Sequence, residues 1–255
     1  MKCLFFLLAV ILFLPVFFNI SPVKQPAYNN KESFDPSLTK INSIEKLTAY
    51  SDSAADKNHI QIGSLGYGVL VSSILRKRFY HGFSYYTLQK NWIAVTAQLL
   101  FGRDLAAPVN ADDILKYPYA GCSQQAIVLM KVMKLKNVPY RSVGFPHHYA
   151  TELNFKNNWY FFDPNMEPKI KVNEREEDKW NSSADILKKY YTGDYEYLDW
   201  AFGKSAPIIF GKPNTDPAPN ASFFQTITGV LSKILWAFPL FFVFYPFKGS
   251  TLPGK

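Results

Sequence analysis

The two ends of the chain are long apolar runs. The first, "CLFFLLAVILFLPVFFNI", is uncharged from Cys3 to Ile20, close to the roughly 20 residues that a helix needs to cross a bilayer. It fits a signal peptide or an uncleaved anchor, and its length favours an anchor over residues 1–22. The second, "FFQTITGVLSKILWAFPLFFVFYPF", carries one charge, Lys233, near its outer end and predicts a transmembrane helix over residues 223–248. A buried core helix is the alternative for each run.

Basic residues beside these runs predict how they are oriented. Lys2 precedes the first run, while Lys248 and Lys255 follow the second, within or beside the short tail 249–255. Because cytoplasmic flanks are enriched in Lys and Arg, both tails are predicted to be cytoplasmic. The region between the spans then faces the extracytoplasmic side, although other lysines follow the first run closely on that side.

Between the apolar ends, the earlier part of the sequence has the apolar periodicity of helices, and the later part has the alternation typical of strands. Residues 23–37 and 211–222 are rich in Pro, Asn and Ser and read as linkers, which leaves one domain over residues 38–210. Four segments favour helices, namely "SIEKLTAYSDSAADK" capped by Ser43, "SLGYGVLVSSILRKRFY", "YTLQKNWIAVTAQLLFG" and the stretch Cys122–Lys136.

Three strand-like pieces follow the last of these helices: "YRSVGF", "HYATELNF" and "WYFFD". The polar segment "VNEREEDKWNSSADILKKYY" is also predicted to be helical. Helices followed by neighbouring strands are typical of an α+β fold, with helices packed on an antiparallel sheet.

Composition narrows the choice of partners. The chain has 255 residues, 48% of them hydrophobic, and a net charge of +8, so a folded domain with possible anionic partners is expected. The basic residues are scattered apart from "RKR" at 76–78, which favours a solvated helix end over a nucleic-acid patch. The apolar runs and the charge pattern therefore predict membrane lipid and no nucleic acid as partners. The peptide or protein substrate that we also expect rests on the thiol chemistry of the chain.

One of the two cysteines stands where a nucleophile would. Cys122 follows Gly121 in "YAGCSQQAIVLM" and opens a predicted helix. A thiol attacks as the thiolate, and the aligned amides at the start of a helix stabilise negative charge on a thiolate or on a developing oxyanion. Gly121 is expected to leave room for a substrate backbone. A disulfide is not expected, because Cys3 lies in or beside the first span.

The alternation of side chains along a strand, here called parity, indicates which histidine could act as the base for this thiol. His147 and His148 begin the second strand-like piece, and Asp163 ends the third. If these strands form a hairpin with an even-numbered turn around "KNN", residues an odd number apart share a face, which His148 satisfies and His147 does not. A turn at residues 156–157 would place Asp163 opposite Ala150, diagonal to His148 at roughly 7 Å.

These residues match a known pattern. "AGCSQQAIVLMKVMKLKNVPYRSVGF" followed by "HHYATELNFKNNWYFFDPN" resembles the core of the transglutaminase-like superfamily, which has the papain-like thiol fold. "NVPYR" stands for the family's "GIPAR" step, "HYATE" for its His strand and "WYFFDP" for its Asp strand. The resemblance is tight over Ala120–Pro164 and implies Cys122 as nucleophile, His148 as base and Asp163 as orienting carboxylate.

The chain also departs from that pattern. Asn137 replaces the usual glycine, Tyr149 and Ala150 replace the usual pair after the histidine, and Asn165 follows "DP" where Thr is common. None of these changes removes a catalytic group. The Ala150 change makes the wall beside the histidine less aromatic and leaves the substrate class open.

Other polar residues are given structural roles. His59 and His81 are isolated near turns and are expected on the surface. Arg141 is expected to pair with a carboxylate and brace its strand, and Glu152, on the face of His148, to hold the site in shape.

The expected function is thiol-dependent acyl transfer at amide bonds, by a peptidase, an amidase or a transglutaminase, with no cofactor. A non-catalytic, membrane-tethered binding or assembly module with the same fold is the alternative, with Cys122 as an inert buried thiol. A metal site built from Cys122, both adjacent histidines and Asp163 is disfavoured, because neighbouring strand residues point to opposite faces.

Overall fold

The computed structural model describes residues 2–29, 32–180, 183–192, 195–204 and 207–244. The chain folds into two compact units. We call the described residues of 25–84 and 108–219 the central unit, and those of 1–24, 85–107 and 220–244 the terminal unit. Residues 85–107, which fall inside the domain 38–210 predicted from the sequence, thus belong with the two ends of the chain.

The helices of the described residues are α1 Lys2–Phe13, α2 Ile44–Lys57, α3 Leu65–Arg78, α4 Leu88–Phe101, α5 Ala111–Ile114, α6 Cys122–Leu135, α7 Glu177–Trp180, α8 Ala184–Lys188, α9 Tyr195–Phe202, α10 Pro219–Ile234 and α11 Ala237–Phe244. Their strands are β1 Tyr80–His81, β2 Tyr119–Ala120, β3 Tyr140–Gly144, β4 Tyr149–Phe155, β5 Asn158–Phe162 and β6 Ile209–Phe210.

The central unit is built on an antiparallel sheet of order β5-β4-β3-β6, with helices around it. One face carries Leu153 and Phe162 and joins the apolar stripe of α6 in the larger core cluster. The opposite face carries Ala150 and Phe161, which form a second cluster with aromatic and aliphatic side chains of α7 to α9. The α+β fold predicted from the sequence is therefore present, and the sheet lies between two apolar layers.

The β4–β5 hairpin has the predicted turn. Phe155 pairs with Asn158, so the loop is Lys156 and Asn157, whose φ angles are 53° and 69°. Two successive positive φ values give a type I′ turn, whose twist matches that of the flanking strands. The pairing of Thr151 with Phe162, continued by one residue, sets Asp163 opposite Ala150.

The polar segment from Val172 onward is partly helical, in line with the expectation from the sequence. The segment forms a 3-10 turn and the short helices α7 and α8, with Asn181 and Ser182 outside the described residues. Its buried residues explain the breaks, since Trp180 packs on Phe161 at 5.6 Å and Arg175 donates to the Phe161 carbonyl at 3.3 Å. The segment is thus held against the sheet at several points.

Arg78, the last residue of the "RKR" cluster, does not lie at a solvated helix end as expected, whereas Lys77 is exposed. Arg78 is buried, and its guanidinium donates to the carbonyls of Ile41, Thr39, Leu115 and Tyr117 at 2.7 to 3.3 Å. Burial lowers the pKa of Arg78 to about 10. Its charge therefore serves to join loops to the end of α3.

The terminal unit contains the predicted spans. Pro219–Phe244, which comprises α10, α11 and the turn between them, is the described helix long and apolar enough to cross a membrane by length and composition. The amino-terminal helix Lys2–Phe17 is apolar but shorter. The last residues of the predicted second span and the tail, 245–255, lie outside the described residues.

Candidate active site

Cys122 is the first residue of α6. Gly121 precedes it as the N-cap, and the Gln124 side chain accepts the Gly121 N–H at 3.1 Å. Cys122 as a residue is 8% exposed, so its side chain lies just beneath the surface, at the end of the helix whose first backbone N–H groups have no partner within the helix. The space beside Gly121 does not stay open for substrate as expected, because a Cβ there would meet the Phe83 ring at 2.8 Å.

His148 directly precedes β4, in the loop that joins β3 to β4. The Phe145 N–H donates to its carbonyl at 2.9 Å and closes this loop. The imidazole packs between Phe145 and Phe202, whose ring centroids lie 6.2 and 5.1 Å away. These contacts fix the ring so that one edge faces Asp163 and its side chain also hydrogen-bonds to Cys122.

Asp163 completes the arrangement. Its Oδ2 lies 2.7 Å from His148 Nε2 and accepts the Tyr191 hydroxyl at 2.8 Å. Its Oδ1 accepts the backbone N–H groups of Asn165 and Met166 at 3.2 and 3.1 Å. The carboxylate is fully buried, and its four donors stabilise the ionised form. The structure therefore brings the three predicted site residues together.

His148 and Asp163 each favour the ionised form of the other. Burial alone would lower the pKa of His148, but the charge and hydrogen bond of Asp163, with the contact to Cys122, raise it well above 6.5. Burial would raise the pKa of Asp163, but His148, Tyr191 and the Met166 amide lower it. The site therefore favours an imidazolium held between a carboxylate and the sulfur.

Tyr191 is a site residue that sequence reasoning missed. It follows α8 in "KKYY", where nothing in the local pattern distinguishes it from a surface tyrosine. Burial and the charge of Asp163 raise its pKa well above 10, so the phenol remains a hydrogen-bond donor. It also packs on Phe202 at 5.0 Å, which links the carboxylate to the aromatic wall of His148.

His147 points away from the triad, as parity predicted. Its ring stacks on Trp200 with a centroid distance of 4.6 Å and an interplanar angle of 3°. No group of three or more His, Cys, Asp or Glu side chains that could hold a metal ion occurs among the described residues.

Arg141 and Glu152 have the predicted bracing role. They are cross-strand partners on β3 and β4, and Arg141 Nε donates to Glu152 Oε2 at 2.7 Å. A second carboxylate, Glu177, lies 2.7 Å from the same guanidinium. Burial raises the pKa of Glu152 to about 7 against the opposing effect of Arg141. The pair ties the sheet to α7 beneath the site.

Comparison of the chain with protein-family models, curated proteins and solved structures gives no match. The site is therefore interpreted from its own geometry and from the resemblance of its motifs.

Proposed function

We propose that the protein is a membrane-anchored, cysteine-dependent enzyme that transfers an acyl group from an amide bond. The observation that carries the proposal is the position of His148, which contacts the Cys122 side chain and lies 2.7 Å from buried Asp163. A nucleophile, a base and a group that orients the base are the minimum for nucleophilic catalysis. The same order and spacing support the resemblance to transglutaminase-like, papain-like thiol enzymes.

The geometry supports the following reaction. The Cys122 thiolate attacks the amide carbonyl, and the backbone N–H at the start of α6 stabilises the oxyanion. The His148 imidazolium gives its proton to the leaving amine as the C–N bond breaks, which leaves a thioester and a neutral imidazole. Water or a second amine then attacks the thioester, passes its proton to His148, and releases the thiolate. Asp163 holds the ring in place throughout.

The membrane arrangement forms part of the proposal. Lys2–Phe17 and Pro219–Phe244 are both apolar helices, one at each end of the described chain. We infer that both anchor the protein and that the central unit faces the extracytoplasmic side, where it meets peptide or protein substrates. In sealed right-side-out vesicles, protease added outside should cleave the central unit. Cleavage only after the vesicles are lysed would contradict this orientation.

A labelling experiment tests the catalytic site. The chain has two cysteines, and Cys3 is exposed, so Cys3→Ser provides a background in which a thiol probe reports only Cys122. We expect iodoacetamide to modify this variant faster than free cysteine at neutral pH, and His148→Ala to remove the excess rate. His59→Ala is the matched control, because His59 is exposed after α2. Wild-type labelling no faster than free cysteine would favour the non-catalytic binding module.

A further inference from the structure

A second histidine, His81, lies beside the segment that carries Cys122. Strand β1 runs parallel to β2, and His81 pairs with Ala120, two residues before the nucleophile. Glu32 Oε2 accepts the His81 backbone N–H at 2.5 Å and holds β1 on its other side. The isolated position of His81 in the sequence concealed this placement, which the long-range pairing of two short strands creates.

A chain of hydrogen bonds determines which His81 nitrogen carries a proton. The Ala120 carbonyl can only accept, so the Gln125 atom that lies 2.9 Å from it must be the amide nitrogen. The same nitrogen lies 3.0 Å from Asn165, which must therefore present its oxygen. His81 Nδ1 is 3.0 Å from that oxygen and so must be a donor. A neutral His81 is thus held as the Nδ1–H tautomer, with a free lone pair on Nε2.

Burial fixes the two side chains in the middle of this series of hydrogen bonds. Gln125 is 1% exposed and Asn165 is 2% exposed, so neither side chain can exchange its partner for water. Gln125 lies one helical turn after Cys122, and Asn165 lies two residues after Asp163, whose Oδ1 accepts its backbone N–H. The chain therefore connects both ends of the triad to one imidazole.

The opposite edge of that imidazole faces outward. His81 is exposed whereas its Nδ1 partner is buried, so Nε2 lies on the solvent side of the ring. The backbone sets this imidazole beside the site, because His81 pairs with Ala120, two residues before Cys122. Its Nδ1 partner Asn165 lies two residues after Asp163. The outward edge of His81 is therefore next to the segments that carry the thiol and the carboxylate.

We infer that His81 is a second histidine of the site, held as the Nδ1–H tautomer so that Nε2 accepts a hydrogen bond from the nucleophile that resolves the thioester. The nucleophile is a small N–H or O–H donor, either an amine or water, and His81 positions it without a net proton transfer. This role rests on the proposed acyl-transfer function. The tautomer does not, because the hydrogen-bond chain alone determines it.

Nitrogen NMR of the full chain in detergent micelles tests the tautomer. Long-range ¹H–¹⁵N spectra at about pH 8.5, two units above the usual histidine pKa, are expected to show His81 protonated at Nδ1. His81→Gln assigns the signals. Asn165→Asp keeps an acceptor and should keep this tautomer, whereas Asn165→Leu should release it. A wild-type His81 that carries its proton on Nε2 would overturn the inference, whatever the activity of the protein.

Acyl transfer tests the contact with the nucleophile. With p-nitrophenyl acetate as donor and hydroxylamine as acceptor, the nitrophenol burst reports acylation and hydroxamate formation reports transfer. We expect His81→Gln to keep the burst and to slow transfer by about tenfold, as for one lost hydrogen bond of roughly 1.4 kcal/mol. His59→Gln should change neither rate. Equal transfer rates, or a parallel loss of burst and transfer, would overturn the role, and the absence of any wild-type burst would reject the proposed function as well.

Discussion

Replacement of Asp163 by asparagine tests the proton arrangement at the proposed site. The carboxylate accepts from His148 and Tyr191 on Oδ2 and from two backbone N–H groups on Oδ1. An asparagine has one oxygen, and the backbone donors require it at the Oδ1 position. Its NH₂ group would then face His148 Nε2, which must become an acceptor. The imidazole proton would move to the nitrogen that should serve Cys122.

The structure sets the size of the expected effect. Without the carboxylate, burial lowers the pKa of His148 and only the contact with Cys122 opposes it, so the imidazolium partner of the thiolate loses most of its support. The thiol should then react like a free cysteine, which is only a few per cent ionised at neutral pH, so alkylation should slow by about 30-fold. Turnover should fall further, towards the roughly 10⁴-fold loss that a misplaced histidine proton causes in serine proteases.

The assay is the rate of iodoacetamide modification in the Cys3→Ser background, followed by mass spectrometry of the intact chain at several pH values. Asp56→Asn is a matched control on the exposed side of α2. Circular dichroism establishes that the Asp163→Asn protein is folded. Alkylation rates for Asp163→Asn and wild type within twofold of each other would refute the charge arrangement, because the carboxylate would then have no influence on the sulfur.

Three further predictions concern stability. Because the pKa of His148 is raised to about 10, its contribution to the free energy of unfolding should be complete below about pH 6.5 and lost as the pH rises through about 10. Urea unfolding of the wild type should show this fall in stability with pH, and His148→Gln should lack it. Arg78→Met leaves four carbonyls without their donor, two of them in buried contacts, and should lower the free energy of unfolding by about 3–5 kcal/mol. Exposed Lys77→Met should lower it by less than about 0.5 kcal/mol, and equal values would contradict the burial of the guanidinium. Lys156→Asn combined with Asn157→Gly suits the type I′ turn and should raise the unfolding free energy by about 1 kcal/mol, whereas a loss of stability would exclude that turn.

The hairpin that brings His148 and Asp163 together was predictable from the sequence. The alternation of side chains and the two-residue turn determine parity, and parity separates His148 from His147 without any three-dimensional information. The start of α6 was equally accessible, because an apolar stripe of helical period begins directly after Gly121. These are local rules, and each spans fewer than about 20 residues.

The surroundings of the triad were not predictable in this way. Tyr191 reaches Asp163 across 28 positions of sequence, and His81 reaches Asn165 across 84. The sequence contains no signal for such contacts, because a tyrosine or histidine that makes a distant hydrogen bond and one that makes none can have the same neighbours in sequence. Arg78 is a further example. Its position in a run of basic residues predicted a solvated helix end, but its guanidinium is buried and donates to four carbonyls that are distant in sequence.

The terminal unit shows why an apolar run alone does not define a membrane span. Gln225, Thr228 and Ser232 interrupt the run at helical spacing, and all three are buried. Asn91 donates to Thr228 Oγ1 at 2.9 Å and accepts from Ser232 Oγ at 3.1 Å, while Gln225 donates to the Ala107 carbonyl at 2.6 Å. Polar groups satisfied by protein can lie at membrane depth at little cost, whereas unsatisfied ones cannot. The first half of this helix therefore has a protein partner along its polar stripe, and α11 packs on α1 through Phe5 and Phe242 at 5.3 Å, so that the remaining faces are left for lipid in the proposed arrangement.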